Sequence, residues 1–196
     1  MVSVSSTARV QGFSKQTNDV YNDSPQTARS VGTLKKNTTR LNVISGLSKT
    51  DRVDYFSFKT QGTIDNIGLG IASGGDAIQV QILGTNGQKV IADNSSNATT
   101  DQKKAYADAQ AGKLKLDAGT YYLRITRGKA TPSSATPTYI VQLSAGTYTQ
   151  DYDTTERAVL QTWAQSTTTS DLAKMLTTGS KAPDGKSITN VFDFLA

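Results

Sequence analysis

Two aspartates three residues apart, Asp51 and Asp54, stand in the stretch SKTDRVDYFSFKT, residues 48–60, where the alternating run Tyr55-Phe56-Ser57-Phe58 begins. Sheets are poor in Asp, and a carboxylate near a core must be paired or hydrogen-bonded. Three chemistries suit such acids: acid–base catalysis, turn formation at the strand start, or oxygen ligation of a cation. Glycoside hydrolysis would need two carboxylates about 5–10 Å apart across a cleft, walled by sugar-stacking aromatics. The sole Trp is Trp163, far along the chain, and no acid sits in a recognisable cleft motif. No enzyme is expected. As turn-formers, Asp51 would cap the turn and Asp54 would pair with Arg52, Arg40 or a backbone N–H.

What is missing narrows the chemistry further. The sequence holds no His and no Cys, which excludes Ser-His-Asp hydrolysis, thiol nucleophiles, His/Cys zinc sites and iron–sulfur clusters. Carboxylate chemistry and oxygen-ligated cations are left. Without cysteine there is no disulfide, and no indication of redox compartment. The net charge of +5 is spread along the chain, with Lys35-Lys36 and Lys103-Lys104 as its adjacent pairs. That reads as a solvated surface, not a nucleic-acid face. No apolar run approaches a membrane span. The N-terminal MVSVSSTARVQGFSKQTND lacks the apolar segment of a secretory signal.

The elements that must hold these acids are mostly strands. A chain of 196 residues with 36% hydrophobic residues, 16 Gly and 7% aromatics suits one β-domain with a small appendage. Period-two alternation predicts strands at 41–44, 53–60, 64–71, 77–83 and 89–92, with Asn86-Gly87 as the hairpin turn between the last two. Residues 93–112 form a polar insertion with a helical turn around Tyr106. Strands resume at 113–116, 120–127 and 139–143, the last preceded by the loop GKATPSSATP. After Tyr152 the pattern becomes helical: Asp153 and Glu156 match a capping box, and Val159, Leu160, Trp163 and Ala164 recur at helical spacing. Ser170 and Gly179 bound a second short helix. The chain ends in an apolar segment holding Phe192 and Phe194.

Four segments, in order, resemble the bacterial pre-peptidase C-terminal domain family. They are Asn22-Asp23-Ser24 with Ala28; Ser45-Gly46 through Asp51-Arg52-Val53-Asp54-Tyr55-Phe56; Asp76 through Gly87; and Ala118-Gly119-Thr120-Tyr121-Tyr122-Leu123-Arg124-Ile125 with Tyr139-Ile140-Val141. The likeness covers about residues 19–146. It implies a mainly β, antiparallel, jelly-roll-like β-sandwich over 19–148; the N-terminal arm at 1–18 and the short helical C-terminal tail at 149–196 lie outside the likeness.

In calcium-binding members of that family the Asp-x-x-Asp pair and the Asn-Asp region supply ligands. The resemblance therefore implies a metal set of Asn22, Asp23, Ser45, Asp51 and Asp54, with calcium as the candidate cofactor. Calcium takes six to eight oxygens, and ligand charge sets its affinity. Those members carry acids just before the Asn-Asp pair, where this chain has Asn18-Asp19-Val20-Tyr21, so weaker binding is expected.

Tyr55, Tyr121, Tyr122 and Tyr139 read as core-edge packing on strands. Tyr148, Tyr152, Trp163, Phe192 and Phe194 are the candidate interface residues, since they flank or occupy the tail. The reading as a whole is a non-catalytic extracellular bacterial structural protein. Its termini would mediate homo-oligomerisation or docking on a surface structure. The alternative is an accessory module that holds a secreted enzyme system on a polysaccharide or protein polymer. Neither nucleic acid nor a membrane span is expected. The expected location is extracellular or cell-surface. Export would use a type I or flagellar/type III route, suggested by Asp193-Phe194-Leu195-Ala196 and the Ser-rich N-terminus, or a signal peptide lying outside this sequence.

Overall fold

Eleven strands and one α-helix form among the described residues, which are 11–17 and 22–156 of a computed structural model. In chain order they are β1 (Gln11–Thr17), β2 (Arg29–Leu34), β3 (Thr39–Gly46), β4 (Val53–Thr60), β5 (Ile64–Ser73), β6 (Ile78–Leu83), β7 (Val90–Ala92), α1 (Thr100–Gln110), β8 (Leu114–Leu116), β9 (Gly119–Arg127), β10 (Thr138–Ala145) and β11 (Gln150–Glu156). The strands form a first sheet in the order β1-β11-β3-β10-β5-β8 and a second in the order β2-β4-β9-β6-β7.

The two sheets share one core. Phe56 and Phe58 of β4, Leu123 and Ile125 of β9 and Val80 and Ile82 of β6 belong to the same buried cluster as Leu41, Val43, Val141, Leu143 and Ile67 from the first sheet. Each such side chain contributes roughly 1.5–3 kcal/mol on burial. This is the β-sandwich that the resemblance implied.

Three pairings differ from the expected antiparallel pattern: β1 with β11, β11 with β3, and β2 with β4 are parallel. For β11 with β3 the cause is visible at the start of β3. β10 runs antiparallel to β3 on one side, and the chain then crosses the end of β3 to send β11 up its other side. The N–H groups of Thr149 and Gln150 both donate to Thr38 O at 2.9 Å to hold the crossing. Gly146 makes the bend with φ 78°, a conformation that suits glycine.

This crossing corrects the domain boundaries at both ends. Residues 150–156, expected to open the helical tail with Asp153 and Glu156 as a capping box, are a strand inside the sheet. Local capping is worth about 0.5–2 kcal/mol. Here it yields to a ladder with β3 and to the side-chain bonds described below. Residues 11–17, placed in the arm, form β1 beside β11. The chain divides into units 1–157 and 158–196, and the expected helices with Trp163, Phe192 and Phe194 lie outside the described residues. β2 was not anticipated either. Its register shifts between Ser30 and Gly32, which has φ 128°, so a bulge interrupts the alternation that would have revealed it.

The polar insertion is more ordered than its composition suggested. Asp93 accepts hydrogen bonds from Gln79 Nε2 (3.0 Å), Gln81 Nε2 (2.8 Å) and both the N–H and hydroxyl of Ser95 (2.8 Å each). Burial raises the pKa of this carboxyl, but the Ser95, Gln81 and Gln79 donors together outweigh it and hold it below its ordinary value. The loop so anchored leads into α1, where Thr99 and Gln102 form a reciprocal capping box. Tyr106 and Ala109 are the buried residues of the helix.

Candidate functional site

The entrance of β4 joins the two sheets. Asp54 is wholly buried, on the inward face that alternation assigns it. The hydroxyl of Tyr139, from β10 in the opposite sheet, donates to Asp54 Oδ2, and Ser45 Oγ lies 3.4 Å from the same oxygen. Asn22 docks beside them: its carbonyl accepts the N–H of Tyr55 at 2.7 Å, and its Nδ2 lies 3.4 Å from Tyr55 O. Asn22, against the Tyr55 backbone, and Ser45, against Asp54, thus stand at one strand entrance.

Asp51 and Asp23 are placed differently. Asp51 closes the 48–51 turn through its backbone, with Ser48 N donating to Asp51 O at 2.8 Å and Asp51 N to Ser48 Oγ at 3.1 Å. Asp23 is exposed. Among the described residues no group of three or more acids, His or Cys gathers at one point. Of the cations suggested for Asp54, Arg52 Nε donates to Lys49 O and Arg40 bonds Asp151. Tyr139, read as edge packing, is a fully buried donor instead.

A second polar cluster lies across β11, β3 and β10. Arg40 clasps Asp151 with two donors, Nε to Oδ1 at 2.9 Å and Nη2 to Oδ2 at 2.5 Å. Asn42 Nδ2 donates to Asp151 Oδ1 (2.6 Å) and Asp153 Oδ1 (2.7 Å), while its Oδ1 accepts Gln142 Nε2 at 2.8 Å. The Arg40 guanidinium also stacks 4.3 Å over the Tyr148 ring, a cation–π contact. Arg40, Asn42 and Asp151 are all buried, so charge-assisted bonds replace the lost water. The sequence carried a faint sign of this cluster, since Arg40 and Asn42 alternate with Leu41 and Val43. Its partners lie 109–111 residues away.

The β1 edge holds the candidate interface residue Tyr152. Its ring stacks on Phe13 with centroids 4.6 Å apart and planes 14° from parallel. Phe13, at 37% exposure, is the one large hydrophobic side chain exposed among the described residues. The pair opens onto a cavity of about 250 Å³ lined also by Val31 and Gly32 of β2. Sequence reading missed Phe13, because QGFSKQT carries no alternation to mark a strand.

These observations define the class: a two-sheet β-sandwich whose buried acids are tied into structural hydrogen bonds. No protein-family model matches the chain, and no curated protein does. Among solved structures, it is similar to the pre-peptidase C-terminal domain of a Bacillus anthracis collagenase, with TM-score 0.36, 16% identity, and coverage of 60% of this chain and 92% of that one. It is also similar to Salmonella Typhimurium PliG, a periplasmic inhibitor of g-type lysozyme, with TM-score 0.39, 14% identity, and coverage of 60% and 97%. Aeromonas hydrophila PliG follows with TM-score 0.34, 9% identity, and coverage of 68% and 97%. No helix among the described residues is long and apolar enough to cross a membrane.

Proposed function

We propose that this chain is a non-catalytic extracellular structural module that associates with a second copy of itself along the β1 edge. The observation that carries the proposal is Phe13, exposed and stacked on Tyr152 at the strand that forms the sheet's edge among the described residues. An edge strand presents backbone donors and acceptors to another strand. Two β1 edges related by a twofold axis would satisfy each other and cover both Phe13 rings. The acids support the non-catalytic part. Asp54, Asp93 and Asp151 are buried acceptors of protein hydrogen bonds.

Light scattering across a concentration series tests the association. A dimer that Phe13→Lys dissociates is expected; a monomer throughout, or a dimer indifferent to Phe13→Lys, refutes it. The extracellular location rests on the family resemblance of residues 19–146, and fractionation of the producing cells checks it, with retention in the cytosol as the contrary result.

Calcium at Asn22, Asp23, Ser45, Asp51 and Asp54 is part of the proposal. The approach of Asn22 and Ser45 to Asp54 supports it. Asp54 Oδ2 already accepts the Tyr139 hydroxyl, and Asn22 O accepts a backbone N–H. Melting with calcium and with chelator decides the matter. A stabilisation lost in Asp51→Ala/Asp54→Ala supports the site, and equal curves remove it.

A further inference from the structure

We infer that a hollow on the first sheet, between Tyr148 and the end of α1, binds a neutral glycan. The hollow has a volume of about 350 Å³ and is lined by Arg40, Gly68, Gly70, Gln110, Gln142, Ser144 and Tyr148, with Leu69, Ala111 and Gly112. It lies apart from the β1 edge and goes beyond the association proposed there.

Its floor is built by omission. Gly68 and Gly70 of β5 pair with Ser144 and Gln142 of β10. Glycine inside a strand weakens it by roughly 0.5–1 kcal/mol, so a reason for it is needed. At Gly70 the backbone supplies none: its φ is outside the left-handed region, and an added Cβ would meet nothing nearer than Gln142 Oε1 at 3.7 Å. Any side chain could stand there, and it would fill the hollow. The missing Cβ is what keeps the space open.

The lining then selects the ligand. Gln142 is held by its Nε2 bond to Asn42, which turns its Oε1 toward Gly70. Ser144 adds a hydroxyl and Gln110 an exposed amide. Arg40 is the one ionised side chain among the described lining residues, and its charge is met by the bidentate Asp151. An anionic or cationic ligand therefore finds no net counter-charge. A protein partner would seek apolar anchors, and Leu69 and Ala111 are the aliphatic residues of the lining. The held Gln142 amide, the exposed Gln110 amide and the Ser144 hydroxyl match vicinal sugar hydroxyls, and the Tyr148 ring offers an apolar body with a polar tip.

The test uses the full chain in native gels cast with laminarin, hydroxyethyl cellulose or soluble starch, alongside alginate and gelatin. Retardation by at least one neutral glucan is expected. Gly70→Leu should weaken it by about tenfold or more with an unchanged melting temperature, Tyr148→Ala should weaken it as well, and Phe13→Lys should leave it intact. Retardation by none of the neutral glucans overturns the inference. So does retardation unaltered in Gly70→Leu, or retention by alginate or gelatin alone. Because Phe13→Lys reports on the β1 edge and Gly70→Leu on the hollow, failure of one reading is separable from failure of the other.

Discussion

Asp54 and Asp151 are both buried aspartates on strands, yet they brace the sandwich in different directions. Asp54 points between the layers and is reached by the hydroxyls of Tyr139 and Ser45 from the opposite sheet. Asp151 bonds sideways within one sheet, to the Arg40 guanidinium and the Asn42 amide on β3. Neutral donors bond the first across the core; an ion pair ties the second strand to strand. The contrast matters because removing one neutral donor from a carboxylate costs less than leaving a buried guanidinium without its carboxylate.

The largest effect should therefore come from Asp151→Ala, which leaves the Arg40 guanidinium without its main carboxylate. A loss of about 3–5 kcal/mol in urea unfolding is expected. The double change Arg40→Met/Asp151→Leu should recover most of it, because two apolar side chains leave no charge behind. If the double variant is as unstable as Asp151→Ala, the site is governed by packing and the comparison breaks. Tyr139→Phe probes the other side. Removing one donor from Asp54 should cost about 1–3 kcal/mol, less than Asp151→Ala; the reverse ranking would show Asp54 to be the more critical acid.

Asp93 sharpens the comparison by adding pH. Its folded pKa is lowered, against the opposing effect of burial, by Ser95, Gln81 and Gln79. Its contribution is thus fully present above the unfolded value and is lost as pH falls through the folded value. Melting curves below about pH 4 should fall more steeply for the native chain than for Asp93→Asn, and parallel curves would contradict the assignment. The smallest effect belongs to the exposed pair of Lys36 and Asp65, 2.7 Å apart. Lys36→Ala should leave the melting temperature unchanged within error, since water screens such pairs.

Legibility in the sequence followed the range of the interaction. β4 was readable to the residue, because Asp54, Phe56, Phe58 and Thr60 alternate with polar neighbours over eight positions. The Asn86-Gly87 turn was readable too, and both residues have positive φ in the structure. β11 was misread because Asp153 and Glu156 carry a genuine local helix signal. Only the partner strand, through Asn42, turns Asp153 to another use, as Arg40 engages Asp151 beside it. Phe13 stayed hidden because β1 has no alternation of its own and exists by pairing with β11.

By itself, the sequence determined a strand-rich chain without thiol or imidazole chemistry, because residue types and period-two patterning act over a few neighbours. The tertiary structure alone decided which aspartate meets a hydroxyl and which a guanidinium, which glycine opens a hollow, and that residues 150–156 enter the sheet between β1 and β3. Those outcomes depend on groups brought together from about a hundred positions apart, as Arg40 and Asp151 are. No local preference encodes such a meeting; the shared core enforces it.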